Sequence, residues 1–267
     1  MLTIIIAVLC AVTGAYISMA FGDLSKTASV WIGVGVFLVI QLTVGLIIRK
    51  KVNNITGAIQ ELMEKTQNKL NRKIAQMQSR PMSSPKSAQQ MLEKEQNQAL
   101  REALSITDRA KPYFKWNILL KRQINTMRMM LHYQLKEFKK VDALLPDSFI
   151  FDARSVAIKA VRMYKNEDPK FEKYIAKKCR RFKGDDAVLL YALYSWVLVK
   201  QEKYDTACAI LAQAKNRIDN PVLNANRENL VNGKVKHFSN ANLGEAWYSL
   251  YLEEPKIKQQ RIVQRGF

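Results

Sequence analysis

Residues 197–214 read VLVKQEKYDTACAILAQA. An apolar run ends near Lys200, polar residues turn the chain, and a second run begins at Tyr204. In that run Tyr204, Ala207, Leu211 and Ala214 recur at steps of three and four, which places them on one face of an α-helix. Two of the four are alanine. Small side chains let a second helix approach closely, so the stretch predicts two helices packed against each other across a short turn.

The same pattern extends outward. Periodicity predicts helix pairs at 148–164 with 169–182 and at 186–200 with 204–219. A strong amphipathic set, Tyr113, Trp116, Leu120, Ile124, Met127 and Leu131, predicts a helix after Pro112, and Phe138, Val141, Leu144 and Leu145 predict its partner before Pro146. Pro112 to Pro146 and Pro221 to Pro255 each span 34 residues. Helix pairs recurring at such intervals are the signature of an α-solenoid, so 111–255 is read as one helical repeat domain followed by a basic tail at 256–267.

Residues 188–221 resemble a tetratricopeptide repeat (TPR). Tyr191, Tyr194, Ser195 and Leu198 stand at the aromatic, large, small and large positions of that family's first helix. Tyr204, Ala207, Leu211 and Ala214 stand at the aromatic, small, large and small positions of its second, and Pro221 falls about two residues beyond the family's terminal proline. The match covers this one unit; the pairs around it are degenerate. The resemblance implies a concave groove that binds a protein or peptide, lined from the first helix of each pair by side chains such as Tyr191 and Tyr194, and it implies no catalysis.

The chain opens differently. Met1–Phe21 and Ala28–Ile48 carry no charge, and each is 21 residues long. As helices each reaches about 31 Å, the thickness of a hydrocarbon core. With only GDLSKT between them they predict an antiparallel transmembrane hairpin, tightened by Gly14/Ser18 and Ser29/Gly33. Arg49, Lys50 and Lys51 then act as a stop and orient the rest of the chain toward the cytoplasm. The expected location is a plasma membrane of the bacterial inner-membrane kind, with two spans and the bulk of the chain cytoplasmic. A cleavable signal ending at residues 18–20 is the rival; the absent basic leader and the length of the apolar run count against it.

Residues 49–110 read as a basic helical stalk. Ile55, Ile59, Leu62, Leu70, Ile74 and Met77 follow helical steps, which suits an amphipathic helix on the membrane surface or a short dimerising coiled coil. SRPMSSPKS at 79–87 interrupts it, and a further helix runs from Ser87 to Ala110. A homo-oligomer formed through spans or stalk fits this arrangement.

Lys and Arg number 43 against 23 Asp and Glu, a net charge of +20, and residues 1–48 contribute none of the excess. So broad a basic surface suits anionic partners. The densest run, KKCRRFK at 177–183, places Phe171, Ile175, Cys179 and Phe182 on one helix face and Lys173, Lys177, Arg180 and Arg181 on the other. Those four cations are the candidate contact with an anionic lipid surface. No nucleic-acid module accompanies them, which disfavours nucleic acid. Cys10, Cys179 and Cys208 are too few and too scattered for a disulfide framework or a metal site, and Cys179 is read as a buried small hydrophobe.

Met127 is assigned to core packing, Trp116 and Trp247 to anchoring helix pairs, and GDD at 184–186 to a turn in which Asp185 or Asp186 caps the next helix. His132 and His237 are the only histidines, and no phosphate loop, dinucleotide fingerprint or nucleophile elbow is present. The sequence therefore predicts an all-α, non-enzymatic, membrane-anchored scaffold that recruits an unidentified protein partner and uses no cofactor or metal. Binding of an anionic lipid surface is the alternative.

Overall fold

The structure is a computed structural model that describes residues 2–21, 25–79, 85–116 and 118–255. The described residues form α-helices and short 3-10 turns with no strand. They fold as two compact units, 1–149 and 150–267. The expected repeat domain at 111–255 is thus shared between the units, its first helix pair lying in unit 1. The basic tail at 256–267 lies outside the described residues.

In unit 1, α1 (Leu2–Phe21) packs along α2 (Lys26–Ser79). The contact is closest at Gly33, where an added Cβ would stand 2.9 Å from the carbonyl oxygen of Ala11 and 3.1 Å from Cβ of Ala15. Ser29 is buried one turn before it. Most of this hairpin is left uncovered by protein: 6% of the apolar stretch Thr3–Ala20 is buried. A core helix of a water-soluble domain would be mostly enclosed. Both helices are long and apolar enough to cross a membrane.

Helix α2 runs unbroken for 54 residues, from the apolar stretch through Arg49–Lys51 to Ser79. This corrects the expectation of a separate stalk helix lying on the membrane surface. Residues 49–56 are mostly polar but contain neither proline nor glycine, so nothing in them ends a helix. The predicted break at 79–87 falls mainly on 80–84, outside the described residues. The next helix, α3 (Pro85–Asp108), starts two residues earlier than predicted and places Pro85 at its first position, where a missing N–H is harmless.

Helices α2, α3 and α4 (Ile118–Gln134) share a core of Ile48, Ile55 and Ile59 with Leu100, Ala103 and Ile106 and with Leu120 and Ile124. Lys73 pairs with Glu95 across α2 and α3, and Arg128 with Asp108 across α3 and α4. Helix α5 (Phe138–Leu144) completes the unit. Helix α4 begins five residues later than its apolar periodicity suggests. Lys111–Tyr113 form a 3-10 turn instead, so Tyr113 and Trp116 precede the helix, and Trp116 is 37% exposed where a packing anchor was expected.

Unit 2 contains α6 (Ala153–Lys165), α7 (Phe171–Arg181), α8 (Asp185–Lys200), α9 (Tyr204–Lys215), α10 (Pro221–Val231) and the single turn α11 (Glu245–Tyr248). Asp152 caps α6 by accepting from the Ser155 N–H at 2.8 Å, and Asn220 caps α10. Asp185 and Asp186 lie inside the first turn of α8, where they face the positive end of the helix dipole; Gly184, not an aspartate, is the capping residue. Helix α8 is buried at every position from Ala187 to Leu198 except the partly buried Leu189, and it forms the axis of the unit.

One turn geometry recurs along the chain. The N–H of Glu137 bonds the carbonyl of His132, Asp168 that of Met163, Lys203 that of Leu198, and Lys234 that of Asn229. In each case the preceding residue, Lys136, Glu167, Glu202 or Gly233, has positive φ. These are four Schellman turns, one closing the first helix of each successive pair. Helices α6, α8 and α10 start at 153, 185 and 221, so pairs recur at 32 and 36 residues. The arrangement is an all-helical one of repeated helix pairs, the last of which is reduced to short turns after α10.

Candidate functional site

The candidate groove does not exist at Tyr191 and Tyr194. These side chains are 1% and 6% exposed. Tyr194 meets Phe171 edge to face with ring centroids 6.4 Å apart, and burial raises both phenols above their usual range. Around them Trp196 meets Tyr164 and Trp247 in T-shaped contacts at 6.0 and 5.8 Å. Glu253 ties the two indoles together, accepting from Nε1 of Trp196 and of Trp247 at 2.8 Å each. Trp247 is fully buried, as expected of an anchor. The cluster is the core of unit 2, and a protein partner cannot reach it.

Helix α7 is where charge gathers. Phe171, Ile175 and Cys179 point inward and are buried, while Lys173, Lys177, Arg180 and Arg181 are exposed. The Cys179 thiol is pushed up to about 12 by burial, which leaves it protonated and unreactive at neutral pH. Three cations that local periodicity did not single out join the four predicted ones. Lys159 reaches over from α6 to sit 5.2 Å above the Tyr174 ring, and Lys178 sits 5.4 Å from the same ring. Arg217, just past α9, donates from Nη2 to the Arg180 carbonyl at 2.8 Å. Burial and then the neighbouring charges of Arg181, Lys159 and Lys177 lower the Lys178 pKa. Cations so close repel one another, and an anion placed among them relieves that repulsion.

The other sequence candidates fall into structural roles. His132 is buried with Nδ1 2.7 Å from Oε2 of Glu137, across the turn between α4 and α5. Lys140 first, and His132 after it, hold the Glu137 carboxyl below its usual range. His237 is exposed in a 3-10 turn. Met127 is partly buried against the α2–α3–α4 core. No three His, Cys, Asp or Glu side chains gather as a metal site among the described residues. Arg49, Lys50 and Lys51 are exposed on α2 at the end of its apolar stretch.

Comparison with known proteins finds no family model, no curated protein and no solved structure that matches the chain.

Proposed function

We propose that the chain is a membrane-anchored scaffold: α1 and the first part of α2 cross a bilayer, and the helical units beyond Arg49 hold a partner protein at its cytoplasmic face. The observation that carries the reading is the uncovered apolar hairpin ending at three consecutive cations. Exposed Ile5, Leu9, Leu42 and Leu46 need an apolar environment, and Arg49–Lys51 mark where it stops. The TPR-like reading of 188–221 is supported by Ser195, Ala207 and Ala214, all fully buried where that family carries small side chains. With Tyr191 and Tyr194 in the core, the partner surface lies on outward positions of the helix pairs. Anchoring would raise the partner's effective concentration at the membrane. The test is residue-specific photo-crosslinking of the full chain in native membranes, with probes on outward positions of α9 such as Asp205 and Gln213. The reading expects one defined protein adduct at these positions, and adducts with lipid alone would overturn it.

The cationic face of α7 favours a second reading, in which unit 2 contacts anionic lipid. A spin label at Lys177→Cys, in full chain reconstituted into neutral or anionic vesicles, separates the two. Lipid contact predicts immobilisation in anionic vesicles only, fading as salt rises past the point where the Debye length falls below about 8 Å. Mobility independent of lipid charge and salt would leave recruitment of a protein as the role.

A further inference from the structure

We propose that the segment leading from α3 into α4, residues 111–116 together with Leu119 in the first turn of α4, is a third membrane contact, seated in the headgroup and upper acyl region of the cytoplasmic leaflet. The inference rests on the two-span reading and adds to it a surface that carries no span. Its starting point is one hydrogen bond. The Thr3 hydroxyl, buried in the first turn of α1, donates to the Trp116 carbonyl at 3.1 Å. The connection is therefore fastened to the very end of a membrane helix.

The packing of α1 on α2 sets the depth of that point. Gly33 faces Ala11 and Ala15, and Gly14 faces Val36. In this antiparallel register Thr3 stands level with about residues 41 to 47 of α2, which is about 3 to 12 Å to the lipid side of Arg49 at 1.5 Å per residue. Helix α4 meets α2 at the same level: Leu120 and Ile124 are buried against Ile48, and a groove between the two helices is lined by Gly45, Ile48 and Arg49. The connection thus reaches the plane where the hydrocarbon ends.

What it presents there matches that plane. The sequence is KPYFKW over 111–116. Trp116 is 37% and Leu119 56% exposed, and Lys111 and Lys115 are exposed beside them. Tryptophan and leucine bury apolar surface in the acyl boundary, while lysine stems reach up to the phosphates. Ile4 and Ile5, next to Thr3 in α1, and Leu46 and Ile47, at the level of Thr3 on α2, are exposed as well. Through Leu120 and Ile124 the lipid contact then fixes the three-helix core relative to the bilayer.

The experiment uses the full chain with Cys10→Ala and Cys208→Ala, buried Cys179 being left in place, in vesicles of mixed neutral and anionic phospholipid. Nitroxide labels are attached at Leu119→Cys, at Leu42→Cys as a lipid-facing reference and at Gln98→Cys as a water-facing one. Collision with dissolved oxygen and with a polar nickel chelate is measured. The inference expects the label at 119 to collide with oxygen and to lose nickel broadening, as the label at 42 does. A second label at Lys115→Cys should read between the two references, which keeps the test independent of any disturbance at 119. Labels at 119 and 115 that match Gln98→Cys, while Leu42→Cys stays shielded, would overturn this inference and leave the spans standing. Nickel access at Leu42→Cys as well would remove the two-span reading and this inference with it.

Discussion

Three of the four residues in left-handed conformation at the recurrent turns are not glycine. Lys136, Glu167 and Glu202 hold φ of 59°, 53° and 61°, while Gly233 fills the fourth place. A side chain in this region costs about 1–2 kcal/mol, part of which a glycine would return as unfolded-state entropy. Glu202 is exposed. Glu202→Gly should therefore stabilise unit 2 by about 0.5–1 kcal/mol, read as a higher unfolding midpoint of the full chain in detergent. A lower midpoint would mean that the glutamate side chain, rather than the backbone geometry, supports the turn. The same scale explains the misreading of Tyr191 and Tyr194. The family resemblance pointed them at a groove, yet DAVLLYALYSWVLV at 186–199 is apolar almost all the way round. A helix with no polar face is enclosed by its neighbours. That signal was present in the sequence, and it decides the position of both tyrosines.

At the scale of elements, apolar periodicity and the polar turns between helices placed α7 and α8 to within two residues, whereas α6 starts five residues later and α9 ends four residues earlier than predicted. Continuity was harder to read. The polar residues after Ile48 resemble a boundary, but a helix ends at a breaker or a cap, not at a change of polarity. Trp116 fits the apolar periodicity of α4 and yet precedes it, because Pro112 opens a 3-10 turn first. The α1–α2 pair allows a sharper test. At Gly33 an added Cβ meets backbone, whereas at Gly35 it meets nothing within 4 Å. Gly33→Val should destabilise the hairpin by about 1–3 kcal/mol through overpacking. Gly35→Val should change it by less than about 0.5 kcal/mol. Titration of the full chain with a denaturing detergent, followed by circular dichroism, compares the two. Equal effects would mean that the helices do not approach at Gly33.

For the whole molecule, the excess of positive charge and the apolar hairpin belong to one design. On the proposed two-span reading, Arg49–Lys51 would lie at the edge of the hydrocarbon and the rest of the basic surface would follow on the same side, because among the described residues no helix after α2 is long and apolar enough to cross a membrane. Charge, more than groove chemistry, was legible in the sequence; Lys159 and Arg217 join the α7 cluster only through tertiary packing, which local spacing does not encode. The most direct measurement of the anchoring claim is cysteine accessibility in intact cells. It uses the full chain with Cys10→Ala and Cys208→Ala, one new cysteine at Ser25 or at Gln98, and a maleimide that cannot cross the membrane. The account predicts labelling at Ser25→Cys from outside and labelling at Gln98→Cys only after the membrane is opened. Labelling of Gln98→Cys in intact cells, or protection of Ser25→Cys from the outside reagent, would contradict it.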